Sequence, residues 1–327
     1  MSLARPPGKL KASQGGLVGR FLGFVIFVGL VGALGWAFFV TSQIDAFEVR
    51  DPSQDPPGEM VTLSNGQTIH YRHQGRGAPV VLIHGFDVAG SYVWADLAES
   101  LEGSRLVMPD QLDFGFSQRS TRQGRQHTVA GRAETLALLM EELGLEQADV
   151  VGAGMGGAVA AQLAADNPGL VDRLVLIAPE IYGPRPTWTE FFFRVPVIGP
   201  ALTFTTLGGG AQAVARYQRE CGVGWCPNAD DLEYRNSTVM VRGTTAALVA
   251  LAATPRASTV PADLDQIAAP TLLLWGGNDA VTPLADGRQM EAAIPGATLE
   301  VMATAGHYPH RQNPVEVAEL IAGFLAG

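Results

Sequence analysis

An uncharged apolar segment near the start of the chain restricts most strongly how this sequence can fold. Residues Phe21–Ile44 read FLGFVIFVGLVGALGWAFFVTSQI, without a charged side chain. About 20 apolar residues in a helix, at roughly 1.5 Å per residue, span the hydrocarbon core of a bilayer. The segment exceeds the roughly 7–15-residue apolar core of a cleavable signal peptide, and no small-x-small cleavage motif follows it. We therefore predict a transmembrane helix over residues 21–44.

Charged residues flank this segment unequally. Basic residues precede it and acidic residues follow it, with a single arginine among the acids: Arg5, Lys9, Lys11, Arg20, then Asp45, Glu48, Arg50, Asp51 and Asp55. The positive-inside rule places the basic flank in the cytoplasm. We expect residues 1–20 to form a cytoplasmic tail and the rest of this single-pass chain to lie outside the cytoplasm.

The composition excludes several classes of protein. With 32 acidic against 22 basic residues and a net charge of −10, the chain lacks the basic stripe that nucleic acid requires, so we expect no nucleic-acid partner. A hydrophobic content of 47% excludes a disordered chain. Cys221 and Cys226 are too few for a four-cysteine zinc site, and either a short disulfide or two free thiols fits them. The sequence implies no metal and no organic cofactor.

The chain beyond the apolar segment starts with a spacer and a hairpin. Residues 51–58 (DPSQDPPG) are rich in proline and aspartate, and we predict a linker over 45–58, extended at this end. Two alternating runs around Asn65-Gly66 predict a β-hairpin, because this dipeptide favours a two-residue turn.

Short apolar runs then alternate with segments of helical periodicity. The predicted strands are Val80–Ile83, Leu106–Met108, Val150–Gly152, Leu174–Ile177, Thr271–Trp275 and Leu299–Met302, and the predicted helices are Thr128–Leu143, Met155–Ala165, Leu284–Ala293 and Pro314–Leu325. Such runs suit strands that are buried on both faces of a parallel sheet. The pattern predicts an α/β core over residues 59–181 and 263–327, with a mostly parallel sheet and helices on both faces.

The alternation breaks between residues 182 and 262. This stretch is aromatic and contains a glycine turn, with helix-like segments at Gln212–Arg219 and Thr245–Ala253. We predict a helical cap inserted into the core.

Five motifs follow predicted strands in a fixed order. They are His84-Gly85-Phe86, the loop Asp110–Ser117, Gly152-Ala153-Gly154-Met155-Gly156, Gly276-Gly277-Asn278-Asp279 and Ala305-Gly306-His307. In these motifs, residues 59–325 resemble the α/β-hydrolase family, in particular its capped esterase, epoxide-hydrolase and dehalogenase-like branch. The resemblance implies the α/β-hydrolase fold and an active site whose residues occur in the order nucleophile, acid, histidine.

The resemblance assigns roles to residues of this chain. It implies that Asp279 is the acid and that His307 is the base which the acid orients. It implies an oxyanion hole formed by the backbone N–H groups of Phe86 and Met155. The nucleophile position, however, is Gly154, which has no side chain. Neither a seryl nor an aspartyl ester intermediate can form there.

Two acidic residues stand where the family commonly has small ones. Asp87 follows the His-Gly-Phe motif, and Asp113 lies in the loop after the second strand. Either carboxylate can be an auxiliary acid or base at the site, or merely a loop acid or helix cap. His70, His73 and His127 are expected at the surface.

These observations leave three functions open. The first is a membrane-anchored protein without a serine nucleophile, which binds a small apolar or ester-like ligand, or a protein partner, under its cap. The second is an active hydrolase or lyase in which His307 and Asp279 act as a general base on water or substrate. The third is a structural subunit of a membrane complex.

Overall fold

The computed structural model describes residues 16–52, 56–182, 190–208, 227–254 and 260–327. Its centre is an eight-stranded sheet of order β1-β2-β4-β3-β5-β6-β7-β8. The strands are β1 (Glu59–Thr62), β2 (Thr68–Gln74), β3 (Ala78–Ile83), β4 (Ser104–Pro109), β5 (Ala148–Ala153), β6 (Val171–Ile177), β7 (Thr271–Gly276) and β8 (Thr298–Met302). β2 runs antiparallel to β1 and β4, and the remaining pairings are parallel. The predicted strands and the hairpin at Asn65-Gly66 are confirmed.

Helices connect and cover these strands. They are α1 (Gly16–Phe47), α2 (Ala95–Ser100), α3 (Val129–Glu142), α4 (Met155–Asp166), α5 (Glu190–Phe193), α6 (Ile198–Thr203), α7 (Ala229–Val239), α8 (Thr244–Ala253), α9 (Val260–Asp263), α10 (Leu284–Ala293), α11 (Pro309–Gln312) and α12 (Pro314–Ala326). The four helices predicted in the core are confirmed as α3, α4, α10 and α12. The predicted helix Gln212–Arg219, Cys221 and Cys226 lie outside the described residues.

The central strands β3, β5, β6 and β7 are largely buried, as their apolar sequences require, whereas the edge strand β8 is mostly exposed, contrary to the prediction for Leu299–Met302. Val81 and Ile83 of β3 belong to the layer that contains α3, α4 and α10. Val80 and Leu82 belong to the opposite layer, which contains α2 and α12. Because successive side chains of a strand point to opposite faces, one all-apolar strand serves both layers. The predicted α/β fold, with helices on both faces of a mostly parallel sheet, is confirmed.

Helix α1 differs from the helices of the core in its exposure. In the described part of the chain, one helix, Gly19–Phe47, is long and apolar enough to cross a membrane. Most of its large apolar side chains are exposed, Phe38 among them at 73%. Ala37 and Val40 are buried instead, because they pack on Ala201 of the short helix α6. The helix therefore contacts the inserted segment near its carboxyl end and presents an apolar surface elsewhere.

The residues that directly follow α1 pack against the amino end of α8. The buried carboxylate of Glu48 accepts hydrogen bonds from the N–H groups of Gly243 (2.8 Å) and Thr245 (2.7 Å), at the amino end of α8. A negative charge is favourable there, because the first N–H groups of a helix lack intrahelical acceptors. Arg50 exchanges backbone hydrogen bonds with the chain that joins α7 to α8. The first part of the predicted linker is therefore fixed to the cap.

The Glu48 contact predicts the local stability of α8. Glu48→Gln keeps the size of the side chain but turns an NH₂ group toward one backbone N–H, so we expect the opening free energy of α8 to fall by about 2 kcal/mol. Hydrogen exchange of the α8 amides would then be roughly 30-fold faster. Asp45→Asn, on the exposed side of α1, is the matched control. Equal exchange rates in the two variants would contradict the assigned contact.

Candidate active site

A histidine and an aspartate meet beyond the carboxyl ends of β7 and β8. His307 Nδ1 lies 2.9 Å from Asp279 Oδ2, and the Asp279 side chain is fully buried. Asp279 also accepts hydrogen bonds from the N–H groups of Val281 and Thr282 and from the Thr282 hydroxyl. A carboxylate held in this way orients the imidazole and leaves Nε2 facing the site. The structure thus brings together the acid and the histidine inferred from the sequence.

Gly154 forms a sharp turn between β5 and α4. Its backbone has φ 54° and ψ −121°, a conformation that strains residues with a side chain. Glycine is also required at Gly152 and Gly156, because backbone carbonyl groups approach both residues too closely for a side chain. A Cβ at Gly152 would lie 2.5 Å from the carbonyl oxygen of Gly156, and one at Gly156 would lie 2.3 Å from that of His84. The strand–turn–helix geometry therefore persists although the residue at its tip is glycine.

The space above Gly154 is open. A Cβ built there would have Glu180 Oε1 at 3.3 Å, His307 Nε2 at 3.6 Å and the Cα of Gly85 at 3.8 Å as its nearest neighbours. The contact with Glu180 is tight, and the Glu180 side chain would have to shift by a few tenths of an ångström. A side chain at this position would therefore be opposed by backbone strain and by Glu180, and its Cβ would lie beside His307 Nε2.

Glu180 is the site residue that the sequence analysis missed. The chain turns beyond β6 at Ala178, which is buried and has φ 43°, and the Glu180 N–H donates to the carbonyl oxygen of Gly154 at 2.9 Å. This turn places Glu180 Oε1 3.8 Å from His307 Nε2. The signal was available: Glu180 follows the carboxyl end of a parallel strand, at the same sheet edge as the recognised motifs.

The imidazole of His307 lies between two carboxylates. Burial by itself lowers the pKa of His307, but the hydrogen bonds and charges of Asp279 and Glu180 outweigh it and raise that pKa to about 9. Burial likewise raises the pKa of Asp279, and its bonds with His307 and Thr282 more than offset this and hold that pKa below its ordinary value. At neutral pH His307 is therefore an imidazolium, which donates protons rather than accepting them.

The expected oxyanion hole lies beside this group. His84 is buried and fixes the turn that carries Phe86: its Nδ1 donates to the Gly85 carbonyl at 2.7 Å, and its Nε2 accepts from the Gln111 N–H at 2.9 Å. Burial lowers the pKa of His84, which keeps the ring neutral for both bonds. Within the described residues, neither the Phe86 N–H nor the Met155 N–H has a protein acceptor. Both are available to an oxygen atom of a ligand.

Apolar side chains of the core and the cap cover this region. Phe86 and Met155 pack against a buried cluster formed by Val88, Phe114, Val239, Leu248 and Leu251. Val239 belongs to α7, and Leu248 and Leu251 belong to α8. Phe47, at the end of α1, joins the same cluster. The side chains of the two residues expected to form the oxyanion hole therefore lie in apolar surroundings.

The two auxiliary acids suggested by the sequence make other contacts. Asp87 accepts a hydrogen bond from the Ala89 N–H and pairs with Arg235 of α7 at 2.9 Å and with Arg311 at 3.5 Å. Asp113 is fully buried, and its carboxylate binds Arg132 at 3.1 Å and the Ser120 N–H. Glu180, rather than Asp87 or Asp113, supplies the carboxylate nearest to the Gly154 Cβ position.

Two of the histidines expected at the surface are buried. His70 Nδ1 lies 2.7 Å from the buried carboxylate of Asp110, and His127 Nε2 lies 3.4 Å from Asp113. Each sits in a polar pair inside the core, which the charge pattern of the sequence does not reveal. His73 is exposed as expected and contacts Glu59. The prediction of surface histidines was therefore wrong for His70 and His127.

Comparison with known proteins agrees with this fold. Residues 78–314 match the model of a family described as the alpha/beta hydrolase fold. This match covers well over half of the chain, and the chain belongs to the α/β-hydrolase family.

Individual relatives carry several hydrolase names and one acetyltransferase name. The chain is 31% identical over 319 residues to the dihydrolipoyllysine-residue acetyltransferase component of the acetoin cleaving system of Cupriavidus necator, covering 91% of this chain and 79% of the relative. It is 28% identical over 287 residues to a 2-hydroxy-6-oxononadienedioate/2-hydroxy-6-oxononatrienedioate hydrolase of Cupriavidus pinatubonensis, covering 81% and 94%. A solved structure of a membrane phospholipase A, a bacterial virulence factor, is similar in fold, with a TM-score of 0.67 and 23% identity over 95% of this chain and 99% of that one.

The flanking carboxylates predict the titration of His307. Because its folded pKa is raised from 6.5 to about 9, His307 contributes stability that is complete below about pH 6.5 and is lost as the pH rises through 9. We expect NMR of histidine-labelled protein to give a titration midpoint near 9, and Glu180→Gln and Asp279→Asn each to lower it. Glu300→Gln, at an exposed position of β8, should leave it unchanged. A midpoint near 6.5 in the unsubstituted protein would refute the arrangement.

Proposed function

We propose that this protein is a membrane-anchored member of the α/β-hydrolase family that binds a small apolar, ester-like ligand under its cap and forms no covalent acyl-enzyme. Gly154 carries the proposal. It stands at the tip of the turn that points at His307, and glycine offers no atom to acylate. The neighbouring groups that would hold a carbonyl compound are nonetheless present.

The surroundings of Gly154 suit an uncharged carbonyl ligand. The free N–H groups of Phe86 and Met155 can donate to a carbonyl oxygen, and the apolar cluster beside them suits alkyl chains. The carboxylates of Asp279 and Glu180 disfavour an anionic group at the same place.

Binding tests the proposal directly. Alkyl ketones in which CH₂ replaces the ester oxygen keep the carbonyl but cannot be hydrolysed. We expect the full chain, in detergent or lipid nanodiscs, to bind them with a Kd that falls about fourfold per added CH₂, because each buried methylene contributes about 0.8 kcal/mol. The NMR signal of the His307 ring should shift with the same Kd. No saturable binding over a series from four to twelve carbons would defeat the proposal.

Covalent labelling tests the role of Gly154. A fluorophosphonate probe should leave the unsubstituted protein unlabelled and should label Gly154→Ser, because a serine there would point at His307 Nε2. The double variant Gly154→Ser/His307→Gln should lose most of this labelling. Labelling of the unsubstituted protein that depends on His307 would mean that another nucleophile operates.

We further propose that α1 spans the membrane with its amino end in the cytoplasm. Its length, its exposed apolar side chains and the basic residues before it support this orientation. In bacterial spheroplasts, external protease should remove an epitope tag at the carboxyl end and spare one at the amino end until detergent is added. The opposite pattern would reverse the orientation, and release of the protein by alkaline carbonate would exclude the span.

A further inference from the structure

We propose that Glu180 is a catalytic residue, the general base that activates water for direct hydrolysis of a bound ester, and that His307 is the acid that protonates the departing alcohol. The inference rests on the proposed function, because it requires an uncharged ester at the Gly154 turn. It goes further by assigning an activity and by giving glycine at position 154 a role of its own.

The positions around Gly154 define where the water acts. The point that a Cβ would occupy is 3.3 Å from Glu180 Oε1, 3.6 Å from His307 Nε2 and 3.8 Å from the Gly85 Cα. A water oxygen cannot take this point itself, which is one bond length from the Gly154 Cα, but the missing side chain leaves room further out for a water that bridges Glu180 Oε1 and His307 Nε2, which are 3.8 Å apart. Met155, the next residue of the turn, has an N–H group without a protein acceptor among the described residues, and in the proposed reaction it donates to the ester carbonyl oxygen.

The charges of the site decide which group is the base. His307 faces the carboxylates of Asp279 and Glu180, and its pKa of about 9 keeps it protonated at neutral pH. His310, the neighbouring titratable group, is buried against Trp94; burial, together with the positive charges of Arg311 and His307, lowers its pKa to about 3, so it stays neutral. An imidazolium cannot accept a proton from water. Glu180 is the group beside this position that can.

The proposed step balances. The water oxygen forms a bond to the ester carbonyl carbon while Glu180 accepts one water proton, and the N–H groups of Phe86 and Met155 stabilise the oxyanion. The tetrahedral intermediate then breaks its bond to the alkoxy oxygen, and His307 gives that oxygen its proton. The products are a carboxylic acid and an alcohol, with Glu180 protonated and His307 neutral.

The pair returns to its starting state without a further reactant. Glu180 Oε1 and His307 Nε2 are 3.8 Å apart, so the proton held by Glu180 can pass to His307 directly or through one water. Glycine at 154 is required for this cycle, because any side chain there would fill the position of the attacking water. The absent nucleophile is then part of the mechanism.

Glu180→Gln tests the base. In full-length protein we expect kcat/KM to fall about 10²- to 10⁴-fold for both the ethyl and the p-nitrophenyl ester of one fatty acid, because a general base contributes that much. Ketone binding should survive, which shows that the variant is folded. Asp172→Asn, at the exposed start of the same strand β6, is the matched control and should keep full activity.

His307→Gln separates the acid from the base. Ethoxide is a poor leaving group and needs a proton to depart, whereas p-nitrophenolate departs without one. We therefore expect His307→Gln to lower kcat/KM at least tenfold more for the ethyl ester than for the p-nitrophenyl ester. In the unsubstituted protein, the rate of ethyl ester hydrolysis should also fall as the pH rises through about 9, because His307 then loses the proton that it donates.

Three outcomes overturn the inference. They are full activity in Glu180→Gln, equal losses for the two esters in His307→Gln, and ketone binding without any ester turnover in the unsubstituted protein. In the last case the proposed ligand-binding function stands and the catalytic role falls. Failure of ketone binding would instead reject the proposed function itself.

Discussion

The site depends on a close backbone contact at the turn from β5 to α4, where Gly156 packs against the end of β3. A Cβ at Gly156 would lie 2.3 Å from the carbonyl oxygens of both Ile83 and His84, so α4 can start this close to β3 only with glycine there. This approach fixes the position of Gly154 at the start of α4 and brings Gly85, in the turn that carries Phe86, alongside it. The loss of a side chain at Gly154 leaves this framework unaffected, because no part of it is built from that side chain.

The second constraint is electrostatic. The His307 ring lies between the carboxyl groups of Asp279 and Glu180, and these neighbours raise the pKa of His307 to about 9. In a serine hydrolase the position next to Nε2 belongs to a hydroxyl group, and the histidine alternates between base and acid. Here the Glu180 carboxyl group lies on the Nε2 side of the ring, and Asp279 lies on the Nδ1 side. In the proposed mechanism the base and the acid are therefore two different residues, whereas one histidine of a serine hydrolase takes both roles in succession.

Much of this arrangement follows from the sequence, and the exceptions have physical causes. The central strands are buried on both faces and so read as apolar runs, and the motifs at their carboxyl ends placed Asp279, His307 and Gly154 at one sheet edge. Glu180 also follows the carboxyl end of a strand, but it was missed because it belongs to no recognised motif and because its approach to His307 depends on the positive φ of Ala178. The contact of Glu48 could not be predicted because its partner, the amino end of α8, is almost 200 positions away in sequence. Long-range contacts of this kind depend on the folded backbone and leave no signal in a local stretch of sequence.

The docking of Glu48 on α8 links the long apolar helix to the candidate site. Helix α1 ends at Phe47, which packs on the cluster that contains Leu248 and Leu251 of α8, and the side chains of Phe86 and Met155 pack on the same cluster. Glu48, the next residue, holds the amino end of α8. The orientation of α1 and the packing around Phe86 and Met155 are therefore not independent, because a rotation of α1 about its end strains contacts that both regions share.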